Sequence, residues 1–207
     1  MRTCDVKDFK TRSDATLGCL ALDFVGKQLD GGSSGGTDVV SLIFMNDEAT
    51  VVFEREPITN VLYNKLINLQ KTIHPHSHGN YIPALLAAEK LLIPDKSNSK
   101  CAMLLLFLSD GRPSDITARS SHLLYNANNP YNPFLDIVRN TQAVVAGFGQ
   151  RLSFCTIGCA DSEADFLALE LMAHTAKQAG CQAKYAYMGS FSFLSSVSFS
   201  QSHNLHL

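Results

Sequence analysis

The residues of this chain best placed to do chemistry gather around Asp110. Cys101–Asp115 reads CAMLLLFLSDGRPSD, and Met103–Leu108 within it is an unbroken apolar run. A run without alternation is how a strand covered on both faces reads, so this stretch is expected to form a central parallel strand. Ser109-Asp110-Gly111 and then Pro113 end it abruptly, which delivers a carboxylate to the carboxyl end of the strand, where open α/β sheets hold their ligands. A carboxylate there is a hard oxygen donor of the kind Mg²⁺ takes, with hydroxyls and waters completing an octahedron. It is also an ordinary turn former beside Gly111. Asp115 could reach the same place through water, or start a helical turn with Ser114.

Other candidates are weaker in type or spacing. His74, His76 and His78 form His-x-His-x-His, which invites zinc, but the spacing aligns the rings only in an extended segment. No nearby Cys or acidic residue completes a tetrahedral set, so solvated loop histidines are expected. Cys155 and Cys159 flank the end of an apolar run, yet no base and orienting group can be assigned to either, and core packing is expected. The six cysteines, Cys4, Cys19, Cys101, Cys155, Cys159 and Cys181, contain no Cys-x-x-Cys pair and read as reduced, mostly buried thiols. The glycines of Gly31–Gly36 lack the Gly-Lys-Ser/Thr ending of a phosphate loop and precede a strand, so they read as a connector.

These residues must be positioned by elements that the pattern also marks. A helical stripe runs from Ala15 to Leu29. Asp38–Met45 and Thr50–Glu54 read as strands around the tight turn Asn46–Ala49, predicting an antiparallel hairpin. Pro57 is expected to open a helix to Ile73, with Val61, Leu62, Leu66, Leu69 and Ile73 on one face. A second helix over Tyr81–Leu92 tolerates Pro83 in its first turn. After a polar linker, Pro94–Lys100, come the strand ending at Asp110 and a long irregular stretch, Arg112–Asn132. Next are a helix over Pro133–Gln150, a buried strand Leu152–Ile157, a helix Glu163–Gln178 and a short strand Lys184–Met188. Phe191–Phe199 is a weak final helix. The alternation predicts an α/β fold: a mostly parallel, doubly wound, Rossmann-like sheet with one antiparallel edge strand and helices on both faces.

With 207 residues the chain suits one domain spanning 1–207. A net charge of −2 gives no electrostatic footprint for nucleic acid or an anionic membrane surface. No apolar run approaches the roughly 20 residues of a membrane-spanning helix, and MRTCDVKDFK has no signal-peptide core, so a cytoplasmic location is expected.

The chain resembles the von Willebrand factor type A domain, also called the inserted or I domain. The matching pieces are the hairpin DVVSLIFMNDEATVVF, the helix GNYIPALLAAEKLL, the strand and loop LLLFLSDGRPSD, and LSFCTIGCADSEADFLALELMA, in the family's order over nearly the whole chain. The resemblance implies a doubly wound sheet with a metal-ion-dependent adhesion site at the carboxyl ends of its strands. In that family the ligands come from an Asp-x-Ser-x-Ser loop after the first strand, a Thr before the third helix and an Asp after the fourth strand. Asp110 matches the last of these. Gly79 stands where the Thr would be, so that hydroxyl is absent, and Asn80 or Ser77 beside it could supply an oxygen instead. Asn80 could equally cap the helix that begins after it. The first loop is not in the chain, since Met1-Arg2-Thr3 resembles the segment just after that loop in the family. In the family the first strand lies at the centre of the sheet, beside the strand ending at Asp110. Each buried backbone group that lost its partner there would cost about 1–3 kcal/mol, against a total stability of about 5–15 kcal/mol. The chain is therefore expected to be a truncated one, with that strand just upstream of Met1.

The resemblance implies a non-enzymatic, adhesion-type module that binds a protein partner through an incomplete metal site, with Asp110 and Asn80 as the ligand positions and Mg²⁺ or another divalent ion as the cofactor, if any. An alternative from another class is a small α/β enzyme, hydrolase or Rossmann-like, using Asp110 as a catalytic carboxylate. Against it stand the absence of Gly-x-Gly-x-x-Gly and of a Gly-x-Ser-x-Gly elbow.

Overall fold

The computed structural model describes residues 11–31, 37–73, 79–115, 133–159 and 165–187. Helix α1 starts at Arg12–Cys19, passes without a break through a π-helical stretch, Leu20–Gly26, and ends with Lys27–Asp30. Thr11 caps it, its Oγ1 accepting from the Asp14 amide at 3.1 Å. This satisfies one of the orphan donors of the first turn. Leu17, Ala21 and Val25, four residues apart, form its buried face.

Strands β1 (Val39–Met45) and β2 (Ala49–Pro57) pair antiparallel as expected. The register slips between Val40 and Ile43, where Arg55 adopts a positive φ of 51° and donates its amide to Ser41 Oγ at 2.9 Å. A side chain replaces the ladder bond that the bulge removes. Helix α2 (Asn60–Thr72) begins later than Pro57, which is the last residue of β2. The cap is Thr59, whose hydroxyl accepts from the Leu62 amide. Starting there turns Leu62 and Leu66 inward but leaves Val61 74% exposed, so Val61 is not on the buried face.

Helix α3 (Tyr81–Leu92) has the expected bounds, and β3 (Met103–Ser109) carries the apolar run. Helix α4 (Pro133–Val145) stops short of Gln150. Gly147 and Gly149, with φ of 83° and 55°, take the chain out of the helix and into β4 (Leu152–Gly158). Helix α5 (Leu167–Gln178) and β5 (Gln182–Tyr187) complete the described chain. Asp165 and Phe166 precede α5, so the helix starts at Leu167 and not at Glu163, and β5 begins two residues before Lys184. Met188 and the Phe191–Phe199 segment lie outside the described residues.

β3, β4 and β5 form an in-register parallel sheet in that order. The strand ending at Asp110 is therefore not the middle of this sheet, since β4 is. Among the described residues, the edge of β3 away from β4 pairs with no strand, and the hairpin forms a separate two-stranded sheet. The two largest hydrophobic clusters reflect this division; a third, small one joins Ile157 and Cys159 to Leu108. The larger holds Tyr81, Leu85, Ile137 and Leu169 from helices α3, α4 and α5 against Met103, Phe107, Leu152 and Phe154 of the sheet. The smaller joins α1, α2 and the hairpin through Leu17, Val25, Phe53, Leu62 and Leu66. Helix α3 belongs to the larger core and also packs on β1 and β2, whose Met45 and Ala49 reach that core. No helix among the described residues is long and apolar enough to cross a membrane.

Candidate functional site

The carboxyl ends of β3 and β4 form a rim, and the sequence builds it in layers. Alternation along β3 points Met103, Leu105 and Phe107 into the larger core. The strand closes with Ser109, 3% exposed, whose backbone oxygen accepts from the Cys159 amide at 2.8 Å. The chain leaves the sheet at Asp110, and the side chain of Asp110 is 31% exposed. This is the strand-end position that the sequence predicts for it.

The loop after Asp110 is tied to the entry of α3. Gly79 donates to Ser114 Oγ at 3.2 Å, and Ser114 returns its amide to the Gly79 carbonyl at 3.0 Å. The Tyr81 hydroxyl donates to the Gly111 carbonyl at 2.8 Å. The buried carboxylate of Asp115 accepts from the Tyr81 amide and, at 3.3 Å, from the Ile82 amide. Two amides of the first turn of α3 are thus satisfied by a residue from another loop, and the carboxylate meets the positive end of the helix. Asp115 does begin a helical turn, as one of its two sequence readings has it, but its carboxylate is committed to α3. A carboxylate acting on a helix 34 residues earlier leaves no local signal.

Asn80 does not cap α3 with its side chain. Its Nδ2 donates to the Asp47 carbonyl at 3.0 Å, while its Oδ1 is buried without a hydrogen-bond partner. The Asn80 amide also donates to the Asn46 carbonyl, so this residue joins the rim to the hairpin turn. His74, His76, His78 and Ser77 lie outside the described residues.

Asp110 faces a cation of the chain itself. Arg12 Nη1 lies 4.0 Å from Asp110 Oδ2, with the Arg12 side chain 8% exposed. Beyond it, Arg112 donates through Nε to Asp165 at 2.8 Å, which ties the rim loop to the entry of α5. The thiols nearby are held protonated. Burial, reinforced by Asp110, pushes Cys159 up to about 12, and burial with Asp23 pushes Cys19 up to about 11. Burial likewise raises Cys155. A thiol in that state is a small hydrophobe and a poor nucleophile, in line with the core role expected of Cys155 and Cys159.

The residues present do not suit a divalent ion. One carboxylate already opposed by a guanidinium is a poor start for an octahedral oxygen set, and Gly79 offers no side-chain oxygen. No group of three His, Cys, Asp or Glu side chains able to hold a metal occurs among the described residues. The Asn80 Oδ1 is buried without a hydrogen-bond partner, while its amide nitrogen turns toward the hairpin.

One contact far from the rim also leaves no mark in the sequence pattern. Arg151 donates to the carbonyls of Lys96 (2.7 Å) and Asn98 (2.6 Å), which pins the linker ahead of β3.

No protein-family model matches the sequence, and no curated protein does. Solved structures share its fold. The pilus adhesin SpaC of Lactobacillus rhamnosus GG superposes with a TM-score of 0.62 at 13% identity, over 89% of this chain and 26% of the adhesin. The conserved protein BatB of Bacteroides thetaiotaomicron gives 0.56 at 12%, over 92% of this chain and 85% of its own. Proximal thread matrix protein 1 of the mussel byssus, in a structure described as having a zinc-occupied MIDAS motif, gives 0.50 at 12%. This chain covers 89% of itself in that match and 41% of the mussel protein. The chain thus spans about a quarter of the adhesin and two fifths of the mussel protein.

Proposed function

We propose that this chain is a von Willebrand factor A-type module that binds a protein partner at the carboxyl ends of β3 and β4 and makes or breaks no covalent bond. The hairpin would be the antiparallel edge of a doubly wound sheet, and the rim a degenerate form of a metal-ion-dependent adhesion site with Asp110 at the ligand position that follows the strand. The observation that carries this reading is the tying of the rim. The hydrogen bonds among Gly79, Tyr81, Ile82, Gly111, Ser114 and Asp115 hold the loop that starts at Asp110 before any partner arrives. Loops already ordered lose less entropy on binding, which is what a recognition face needs. The adhesin and the matrix protein that share the fold agree with such a role. The Arg112–Asn132 stretch, most of it beyond the described residues, supplies further contact surface in this proposal.

The test is affinity capture from a lysate of the source cells, with wild-type protein and with the double variant Asp110→Ala/Arg112→Ala as baits. The expected result is a partner retained by wild type and lost from the variant, with unchanged circular dichroism. Equal retention by both baits would remove the rim from the binding face.

A further inference from the structure

We infer that the cation balancing Asp110 is built into the chain: the guanidinium of Arg12 takes the place at this rim that a divalent ion would otherwise fill, so recognition here runs without metal. The inference rests on the rim being the binding face, and it changes what kind of face that is.

Arg12 is the first residue of α1, and the Thr11 cap fixes the turn from which its side chain departs. That side chain is almost enclosed, at 8% exposure, and its Nη1 lies 4.0 Å from Asp110 Oδ2. An enclosed guanidinium needs a negative partner, because an unpaired charge out of water is costly. It cannot give up its proton to make room for another cation. Arg12 and Cys19 lie two turns apart on one face of α1, and buried Cys159 at the end of β4 is within electrostatic reach of both and of Asp110. The ion pair thus brings the first turn of α1, with its guanidinium, to the carboxyl end of β3.

A dication bound at Asp110 would stand beside that nearly enclosed guanidinium, and like charges repel. Gly79 has no side-chain oxygen to offset the repulsion, and the Asn80 amide is anchored to the hairpin through its Nδ2. The pair also leaves the rim near neutrality instead of strongly positive. A partner has no ion to complete with a carboxylate and meets a polar surface that includes Arg112, paired with Asp165 and with its side chain 66% exposed.

The experiment uses the full chain and Mn²⁺ alone, monitored by calorimetry, together with Tm values for Arg12→Gln, Asp110→Asn, their double variant and Arg12→Lys. The expected result is no saturable Mn²⁺ uptake by wild type at millimolar concentration. Each single variant should lower the Tm, the double variant should lower it by less than the sum, and Arg12→Lys should recover most of the loss. Saturable Mn²⁺ uptake by wild type that Asp110→Asn abolishes would overturn the inference. Additive Tm losses would do so too, because Arg12 and Asp110 would then not be acting on each other. Should Arg12→Gln fail to fold, Asp110→Asn and Arg12→Lys still report the pairing and the uptake. Neither readout involves a protein partner, so failure here is distinct from failure of the capture experiment.

Discussion

β1 and β2 are joined by the turn at Asn46–Glu48 and pair antiparallel, whereas β3, β4 and β5 are separated by long connections and pair parallel. The two regions differ in how their strands are buried. β4 is covered almost throughout, while β1 is at best half-buried and starts exposed at Val39. β3 stands between these cases. Its β4 side is fully paired, but its other edge meets no strand among the described residues, and Leu104 is 37% exposed despite belonging to an apolar run. Among the described residues, no backbone ladder joins the two regions. They are held by α3, by the Asn80 and Asn46–Asp47 contacts at the rim, and by the ion pair of Arg55 with Asp95, at 2.5 Å, elsewhere. Two sheets can thus be ordered separately, with side chains and one helix carrying the connection.

The largest effects should come from cutting each core. Leu66 in the hairpin region and Leu85 in the parallel region are both 0% exposed, and each replaced by Ala should cost about 2–5 kcal/mol. If α3 and the rim couple the regions, both variants shift one common unfolding transition in calorimetry. Two separate transitions would show the regions to be independent.

Asp115→Ala attacks the coupling itself. It strips two amides of α3 of their acceptor and should cost about 2–4 kcal/mol, read as a lower denaturation midpoint. A loss within experimental error would show that water replaces the carboxylate.

Alkaline pH tests burial at the meeting point of α1 and β4. Cys159 and Cys19 ionise near 9 when unfolded but near 12 and 11 when folded, so above pH 9 the unfolded state binds fewer protons than the native one. Stability is then full below pH 9 and falls as pH rises. The part due to Cys159 should be on the order of 2 kcal/mol at pH 11. Cys159→Ala should flatten that slope, and an unchanged slope would place the thiol in water.

The smallest effect on stability, and the sharpest on the comparison, is amide exchange. Amides of β3 turned away from β4 should exchange faster than those of β4, which is paired on both sides. Equal protection along both strands would mean that a further segment covers the open edge.

The sequence showed its elements wherever the physics is local. Hydrophobic period and turn chemistry put β1, α3 and the β3 run within a residue of their places and started β2 within one, though β2 runs three residues past Glu54, because a hairpin turn and an amphipathic stripe are decided by neighbours in the chain. The exit of β3 at Asp110 was legible for the same reason, as Gly and Pro end a strand wherever it lies. Boundaries decided by competition were missed: Thr59 outcompetes Pro57 as the start of α2, and left-handed glycines end α4 early. The likeness to adhesin and matrix-protein structures agrees in fold with the family resemblance read from four short motifs.

What tertiary structure alone decided is which groups meet. Asp115 reaches an α3 that begins 34 residues before it, Arg151 grips the linker before β3, and Arg12 crosses from the first helix to face Asp110. Each is a polar group taken out of water, which must find a partner or cost the fold dearly. The partner's identity depends on which distant segments the packed core brings together, and no periodicity along the chain records that.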